Sequence, residues 1–476
     1  MKLAQRTFSR TDQMRFASAS GDRNPMHVDP LRARRTQAGA PVVHGIHMLL
    51  WSLDALAAAR PDLPPLRSLR AQFNKFVYVD EPVEVVLTQQ AETGARLSLS
   101  VDGAARSKLT VSFGNPTETY PDWSAEPLHP APLLSEPLSL TLEEMSSQSG
   151  NLALQLTPED ASELFPSATR WLGARRIAAL AASTYLVGMI CPGLHSIYSE
   201  LTISTCPDPG DGDALAFRVT DTDPRFRTIE QEIAGGGLIG TVSGFARVPP
   251  AAQATMASLA GLVAPDEFAG SVALIVGGSR GLGELTAKLI AAGGGRVIVT
   301  WLAGKEDAAR VSREICAAGG ACEPLAYDAR KPAAEQLSGL GEKPTHAYYF
   351  ATPAIFRPQA EIFSAERFSD FLAVYVDGFW QLAQALRLYQ PTISLFYPSS
   401  VSVTDRPAGM TEYSMAKAAA EVLCADMNQA LAPLKVTVSR LPRLPTDQTA
   451  SVTPADTADP VATLLPIVRE VQSQPR

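Results

Sequence analysis

Ser20-Gly21-Asp22-Arg23-Asn24-Pro25-Met26-His27-Val28-Asp29-Pro30 holds more chemistry than a loop requires. Asn24-Pro25 supplies the turn. Asp22 and His27 are extra. Two proton-handling groups five residues apart across a Pro-fixed turn can face a common point, which suits general acid/base work. The chain then runs through APVVHGIHM (Ala40–Met48) into an apolar helix pattern, VVHGIHMLLWSLDALAA. Strand-like runs follow: SLRAQFNKFVYV, EPVEVVLTQQ, RLSLSVDG and SKLTVSFG. One long helix followed by antiparallel strands with short turns predicts an α+β domain whose sheet wraps the helix.

The same order recurs. RRIAALAASTYLVGMI precedes SIYSELTIST, ALAFRVTDTD, RTIEQEIAG and LIGTVSGFARV. Repetition at domain length predicts a duplication, since a solenoid would have a far shorter period. The second copy lacks the motif: ALQLTPEDASELFPSATRWLGA offers Asp160 and Glu163 but no His. Its expected role is structural, with His195 and Glu200 read as packing or surface residues. Ile177–Leu194 is uncharged and nearly long enough to span a bilayer. Ser183, Thr184, Gly188 and Pro192-Gly193 interrupt it, and a helix buried on every side of a globular domain gives the same pattern.

Pro-rich NPTETYPDWSAEPLHPAP (Asn115–Pro132) reads as a linker, and Pro249–Glu267 as a joint. The expected domains are 1–115, 135–248 and 268–476. The 476 residues suit about three domains. Hydrophobic residues make 46% and charged ones 19%, enough for real cores. A net charge of −8 argues against nucleic-acid binding. The 5 cysteines lack metal-ligand spacing and read as free thiols of a cytoplasmic protein without a metal. MKLAQRTFSRTD is too polar for a secretion signal.

The third segment alternates strand and helix: SVALIVGG, GELTAKLIAAGG, RVIVTW, DAARVSREICAAGG, CEPLAYD, and later HAYYFATP and TISLFYPSS. This predicts a doubly wound parallel sheet. Its first strand enters Gly277-Gly278-Ser279-Arg280-Gly281-Leu282-Gly283, a turn that lets the backbone approach a pyrophosphate at a helix N-terminus. Far downstream, Tyr413 and Lys417 share a helix face, and Ser400 ends a strand thirteen residues before Tyr413. A cation beside the phenol would lower its pKa.

Two family resemblances rest on these residues. SGDRNPMHVDP with APVVHGIHM, and the later FNKFVYVDEPVEV, resembles MaoC-like (R)-specific enoyl-CoA hydratases, which have the hot-dog fold. It implies Asp22 and His27 as the catalytic pair, with the backbone near His44-Gly45 beside a thioester carbonyl, and a second, degenerate hot-dog completing a pseudo-dimer. The glycine loop with Ser400, Tyr413 and Lys417 resembles short-chain dehydrogenases/reductases. It implies that Tyr413 donates a proton to a carbonyl, Ser400 orients the oxygen, and Lys417 holds the nicotinamide ribose. The implied cofactor cradle comprises Gly277, Ser279, Arg280, Gly281, Leu282, Gly283, Lys305, Asp328 and Ala351.

The chain departs from the second family's pattern. Tyr375 stands where an Asn is usual, Ala351-Thr352-Pro353 replaces an Asn-rich turn, and Pro442-Arg443 replaces Pro-Gly. Thr300-Trp301 brings no carboxylate to the end of the second strand, and Arg280 and Lys305 can meet a 2′-phosphate, so NADP(H) is the expected cofactor. The fold expected is a tandem hot-dog followed by a Rossmann-type sheet. The activity expected is reduction of a 3-oxoacyl thioester and dehydration of the resulting 3-hydroxyacyl thioester, as in fatty-acid or polyketide assembly. The substrate would be carried on CoA or an acyl carrier protein, by a homo-oligomer with no membrane or nucleic-acid partner. Alternatives are a degradative hydratase/dehydrogenase and an acyl-carrier binding scaffold without turnover.

Overall fold

A capping box starts the first helix, Arg10–Ser20. Ser9 Oγ accepts from the Asp12 amide, and the Asp12 carboxylate accepts from the Ser9 amide. Gly21 stops it with φ +78°, a left-handed cap that delivers Asp22 at its end. The structure, a computed structural model, describes residues 1–116, 118–125, 127–207, 213–355, 362–449 and 456–474. It divides into two compact units, one spanning Met1–Pro249 and the other taking the described residues from Pro250 onward.

The first unit holds β1 (Lys2–Thr7), β2 (Leu66–Phe73), β3 (Pro82–Ala91), β4 (Gly94–Val101), β5 (Ala104–Phe113), β6 (Ser149–Ala153), β7 (Ser196–Thr205), β8 (Ala214–Asp223), β9 (Thr228–Gly235) and β10 (Leu238–Ala246). They form one sheet in the order β1-β3-β4-β5-β2-β7-β10-β9-β8-β6, so each repeat supplies five strands. The repeats join where β2 pairs antiparallel with β7, Leu69 opposite Ile203. At that seam Arg70 grips Glu200 with two hydrogen bonds of 2.8 and 2.9 Å. Alternation along β3 to β5 turns Val85, Leu97, Leu99, Leu109 and Val111 onto the helix Gly45–Ala59.

The uncharged stretch is the second repeat's central helix, Ala174–Tyr185, continued by a π-helical turn, Leu186–Ile190. Residues Ile177–Ile190 are all buried in protein. Among the described residues, no helix is long and apolar enough to cross a membrane. The Pro-rich stretch Asn115–Pro132 was expected as a linker, yet its described part packs on the second repeat. Tyr120 Oη accepts from the Gly237 amide at 2.7 Å, and the buried Trp123 ring lies 4.7 Å from the Arg218 guanidinium carbon. Two elements at the edges, β1 and β6, had no counterpart in the sequence reading. Each is short, β1 pairing with β3 and β6 with β8.

The second unit holds β11 (Val272–Val276), β12 (Arg296–Trp301), β13 (Ala321–Ala326), β14 (His346–Tyr349), β15 (Ser394–Ser400) and β16 (Lys435–Leu441). All pair in parallel, in the order β13-β12-β11-β14-β15-β16. The order reverses between β11 and β14, where ligands of such sheets bind. A tandem hot-dog followed by a Rossmann-type sheet is the observed architecture.

Two candidate active sites

Asn24 builds the motif loop. Its Oδ1 accepts from the Met26 amide, and its Nδ2 donates to the carbonyls of Gly188 and Gly193 at 2.8 and 3.0 Å. Pro25 opens a single helical turn, Pro25–Val28, which raises His27 toward Asp22. His27 Nδ1 donates to the Val42 carbonyl at 2.8 Å, and neutral His27 therefore keeps its lone pair on Nε2. The ring stacks on His44 at 3.8 Å. His44 in turn bridges Gln13 Oε1 (Nδ1, 2.9 Å) and the Asp22 main-chain oxygen (Nε2, 3.1 Å). Asp22, His27 and His44 bring one ligand-type atom each within 4.8 Å of one another.

Asp22 is 1% exposed. Burial raises its pKa above the carboxylate range, against the pull of His27 and hydrogen bonds from Thr184 and the Asn24 amide. Burial also lowers His27, opposed by Asp22 and the Val42 bond and reinforced by Arg247. A raised carboxyl and a lowered imidazole side by side exchange a proton easily. His44 lies well below the imidazole range through burial, with His27 and His47 adding to it.

The sequence reading missed the second repeat's share of this site. Thr184 Oγ1 donates to Asp22 Oδ2 at 2.7 Å. A Cβ on Gly188 would fall 2.3 Å from Asp22 Oδ1, so a larger residue there would displace the carboxylate. Residues four apart share a helix face, and a threonine and a glycine inside an otherwise apolar helix were the available signal. The backbone expectation also sharpens. The His44 amide is taken by Gln13 Oε1, whereas no side chain caps the helix that begins at Gly45. The Gly45 amide is thus the candidate donor for a thioester oxygen.

In the second unit, Gly277 turns the chain out of β11 with φ +80°, and a Cβ there would lie 2.8–2.9 Å from the Phe350-Ala351 backbone. A Cβ on Gly283 would fall 2.3 Å from the Gly277 carbonyl. Thr300 holds the loop from beneath: its Oγ1 accepts from Gly277 N at 3.0 Å and its carbonyl from Gly278 N at 3.1 Å. The residue in the place of an acidic ribose binder is thereby committed to the loop itself. Ser279 is buried, Leu282 packs on the core, and Gly281 opens the helix Gly281–Ala292, which no side chain caps. Such a cradle fits a dinucleotide pyrophosphate.

Arg280 Nη1 bonds Asp447 Oδ2 at 2.9 Å. Lys305 is exposed at the start of the helix Lys305–Ala317. The Asp328 carboxylate accepts from the Arg330 amide, and Ala351 lies beside Gly277. Ser400 hydrogen-bonds Tyr413, yet burial still pushes the phenol above its ordinary range. This departs from the spacing argument, which expects Lys417 to lower it. Lys417 Nζ instead donates to the Pro398 carbonyl at 2.6 Å and sits 4.0 Å from the Tyr375 ring and 4.7 Å from the Tyr397 ring. Burial brings Lys417 down to about 7. Tyr375 falls in a π-helical turn, Ala373–Gly378, and its hydroxyl is 2.5 Å from Thr352 Oγ1.

Residues 2–110 match the family described as MaoC like domain, and residues 271–438 match the KR domain. No curated protein matches the chain. Solved structures similar to it include a short-chain dehydrogenase/reductase from Serratia marcescens (20% identity, 44% of this chain, 92% of that chain, TM-score 0.39). Others are a dehydrogenase/reductase from Sinorhizobium meliloti (22%, 43% and 88%, 0.37) and a 3-oxoacyl (acyl-carrier-protein) reductase from Agrobacterium tumefaciens with NADP bound (17%, 43% and 88%, 0.38). The chain carries a MaoC-like dehydratase domain of hot-dog fold, followed by a KR domain on a Rossmann-type sheet.

Proposed function

We propose that the chain reduces a 3-oxoacyl thioester and dehydrates the 3-hydroxyacyl product in a biosynthetic sequence, with NADP(H) as its cofactor. The observation that carries the dehydratase half is the His27 tautomer: Nδ1 is spent on Val42, leaving Nε2 as a base next to a buried carboxyl. Neutral His27 takes the C2 proton. Protonated Asp22 gives its proton to the C3 hydroxyl, which leaves as water as the C2–C3 double bond forms. The imidazolium then returns a proton to Asp22. The Gly45 amide stabilises the enolate-like thioester oxygen between these steps. Thr184 and Gly188 keep the Asp22 carboxyl in place.

In the second unit a nicotinamide dinucleotide would supply the hydride, held by the Gly277–Gly283 loop and the helix that opens at Gly281. Tyr413 holds the proton destined for the carbonyl oxygen, Ser400 orients that oxygen, and Lys417 would hold the nicotinamide ribose. Arg280 and the missing carboxylate at Thr300 favour NADP(H) over NAD(H). A second reading, binding without turnover, is favoured by Tyr375, whose ring lies against the Lys417 ammonium. Following NADPH absorbance with a 3-oxoacyl-CoA separates them. Consumption that yields 3-hydroxyacyl and enoyl products supports the enzyme, and none with intact NADPH binding supports the second reading.

A further inference from the structure

At one end of the second repeat's sheet, three basic side chains gather. Arg247, just after β10, is 3% exposed. Its Nη2 donates to the Leu194 carbonyl at 2.7 Å, while its buried Nε meets no acceptor. Arg227 precedes β9 with φ +54°, a left-handed conformation uncommon for such a residue, and its Nε donates to the Ala246 carbonyl at 2.6 Å. Between them His195 has a buried Nδ1 without a partner. Among the described residues neither guanidinium has a carboxylate partner. A buried cation without a counter-ion is costly.

The cluster adjoins the motif loop. Asn24 holds the Gly193 carbonyl and Arg247 holds that of Leu194, so the two side chains grip consecutive peptides. The Arg247 charge is also felt at His27 and at His195, which burial and the two arginines bring down to about 4.

We propose that Arg247 is the anion-binding residue of the hot-dog unit, taking a negatively charged oxygen group of the acyl thioester. That group is a phosphate of the carrier or a carboxylate on the acyl chain, and Arg247 thereby selects which thioesters reach Asp22 and His27. The guanidinium fork matches either group. The inference rests on the dehydratase reading of Asp22 and His27.

The test measures hydration by the full chain with three probes: crotonyl-pantetheine, which carries no anion, crotonyl-CoA, and glutaconyl-pantetheine, which carries only a carboxylate. Arg247→Met is expected to lose at least about tenfold more in kcat/KM on a charged probe than on crotonyl-pantetheine. Loss on crotonyl-CoA identifies a phosphate, and loss on glutaconyl-pantetheine a carboxylate. Equal loss on all three, or no loss on any in a folded variant, overturns the proposal. Should Arg247→Met not fold, Arg247→Lys carries the test with the same selectivity and an expected loss of about threefold or more, because one ammonium grips two oxygens poorly. If the parent protein hydrates none of the probes above the rate of Asp22→Asn, the dehydratase reading itself fails, which is a different result from an unselective Arg247 variant.

Discussion

Thr184 Oγ1 donates a 2.7 Å hydrogen bond to Asp22 Oδ2 across 162 positions of sequence, so the repeat without the motif holds the carboxylate of the repeat that has it. This bond stabilises the ionised form, opposing the burial that raises Asp22. Thr184→Val should therefore raise the Asp22 pKa further. The limb of the hydration pH profile that reports Asp22 is expected to move up by about one to two pH units, the worth of a hydrogen bond to a charged group. Thr184→Ser should restore it. An unmoved limb would mean that the bond is not made in solution.

Gly188→Ala tests the same contact sterically. The added Cβ would sit 2.3 Å from Asp22 Oδ1 and 2.6 Å from Cγ, so the carboxyl must leave its place beside Thr184 and His27. Hydration should fall at least about 10²-fold, the lower range for general acid/base groups. NADPH-dependent reduction should stay at the parent rate. Parallel loss of both activities would point to misfolding instead, which circular dichroism would register.

Much of this was legible in the sequence, for reasons tied to particular residues. Asp22, Asn24 and His27 lie within one loop, and Gly277, Gly281 and Gly283 within another, so local spacing carried their chemistry. Thr184 and Gly188 were noticed only as interruptions of an apolar helix, because their partner lies across the repeat. Thr300 was read for the carboxylate it lacks, whereas it serves as the hook for the glycine loop. The Lys417–Tyr413 argument rested on i,i+4 spacing alone. Burial against Tyr375 and Tyr397, which no spacing reveals, moves both groups toward neutrality. Asn115–Pro132 misled because its anchors, Tyr120 and Trp123, are single aromatic residues without a period.

Stability should depend on pH through His47, which burial pushes down to about 3. The unfolded chain protonates this residue near pH 6.5, so the folded state excludes a proton between those values. The contribution of neutral His47 is complete above about pH 6.5 and is lost as pH falls toward 3. From pH 6.5 to 5 the loss should be about 2 kcal/mol. His27 and His44 act in the same direction. Asp22, with a raised pKa, acts in the opposite one. Urea titrations should show the parent weakening with acid and His47→Phe weakening less. Equal slopes would contradict a buried neutral His47.

Cofactor choice turns on Arg280. Arg280→Ala should weaken NADPH about tenfold to a hundredfold while leaving NADH nearly unchanged, as expected for one charge-assisted pair to a 2′-phosphate. Asp447→Asn, which removes the residue now paired with Arg280, should shift preference further toward NADPH. Fluorescence titration of both nucleotides decides it. Equal weakening of NADPH and NADH by Arg280→Ala would leave the arginine a role in shaping the loop and none in selectivity.

The central claim is that one chain holds two separable chemistries, and the Asp22→Asn variant tests it most directly. Asparagine keeps the shape of the loop and removes the exchangeable proton. Given a 3-oxoacyl-CoA and NADPH, this variant should consume NADPH and accumulate the 3-hydroxyacyl-CoA, detected by mass spectrometry. The Tyr413→Phe variant serves as the mirror control, consuming no NADPH while still interconverting 3-hydroxyacyl and enoyl thioesters. Enoyl product formed by Asp22→Asn at the parent rate would contradict the account and leave the N-terminal unit a binding scaffold.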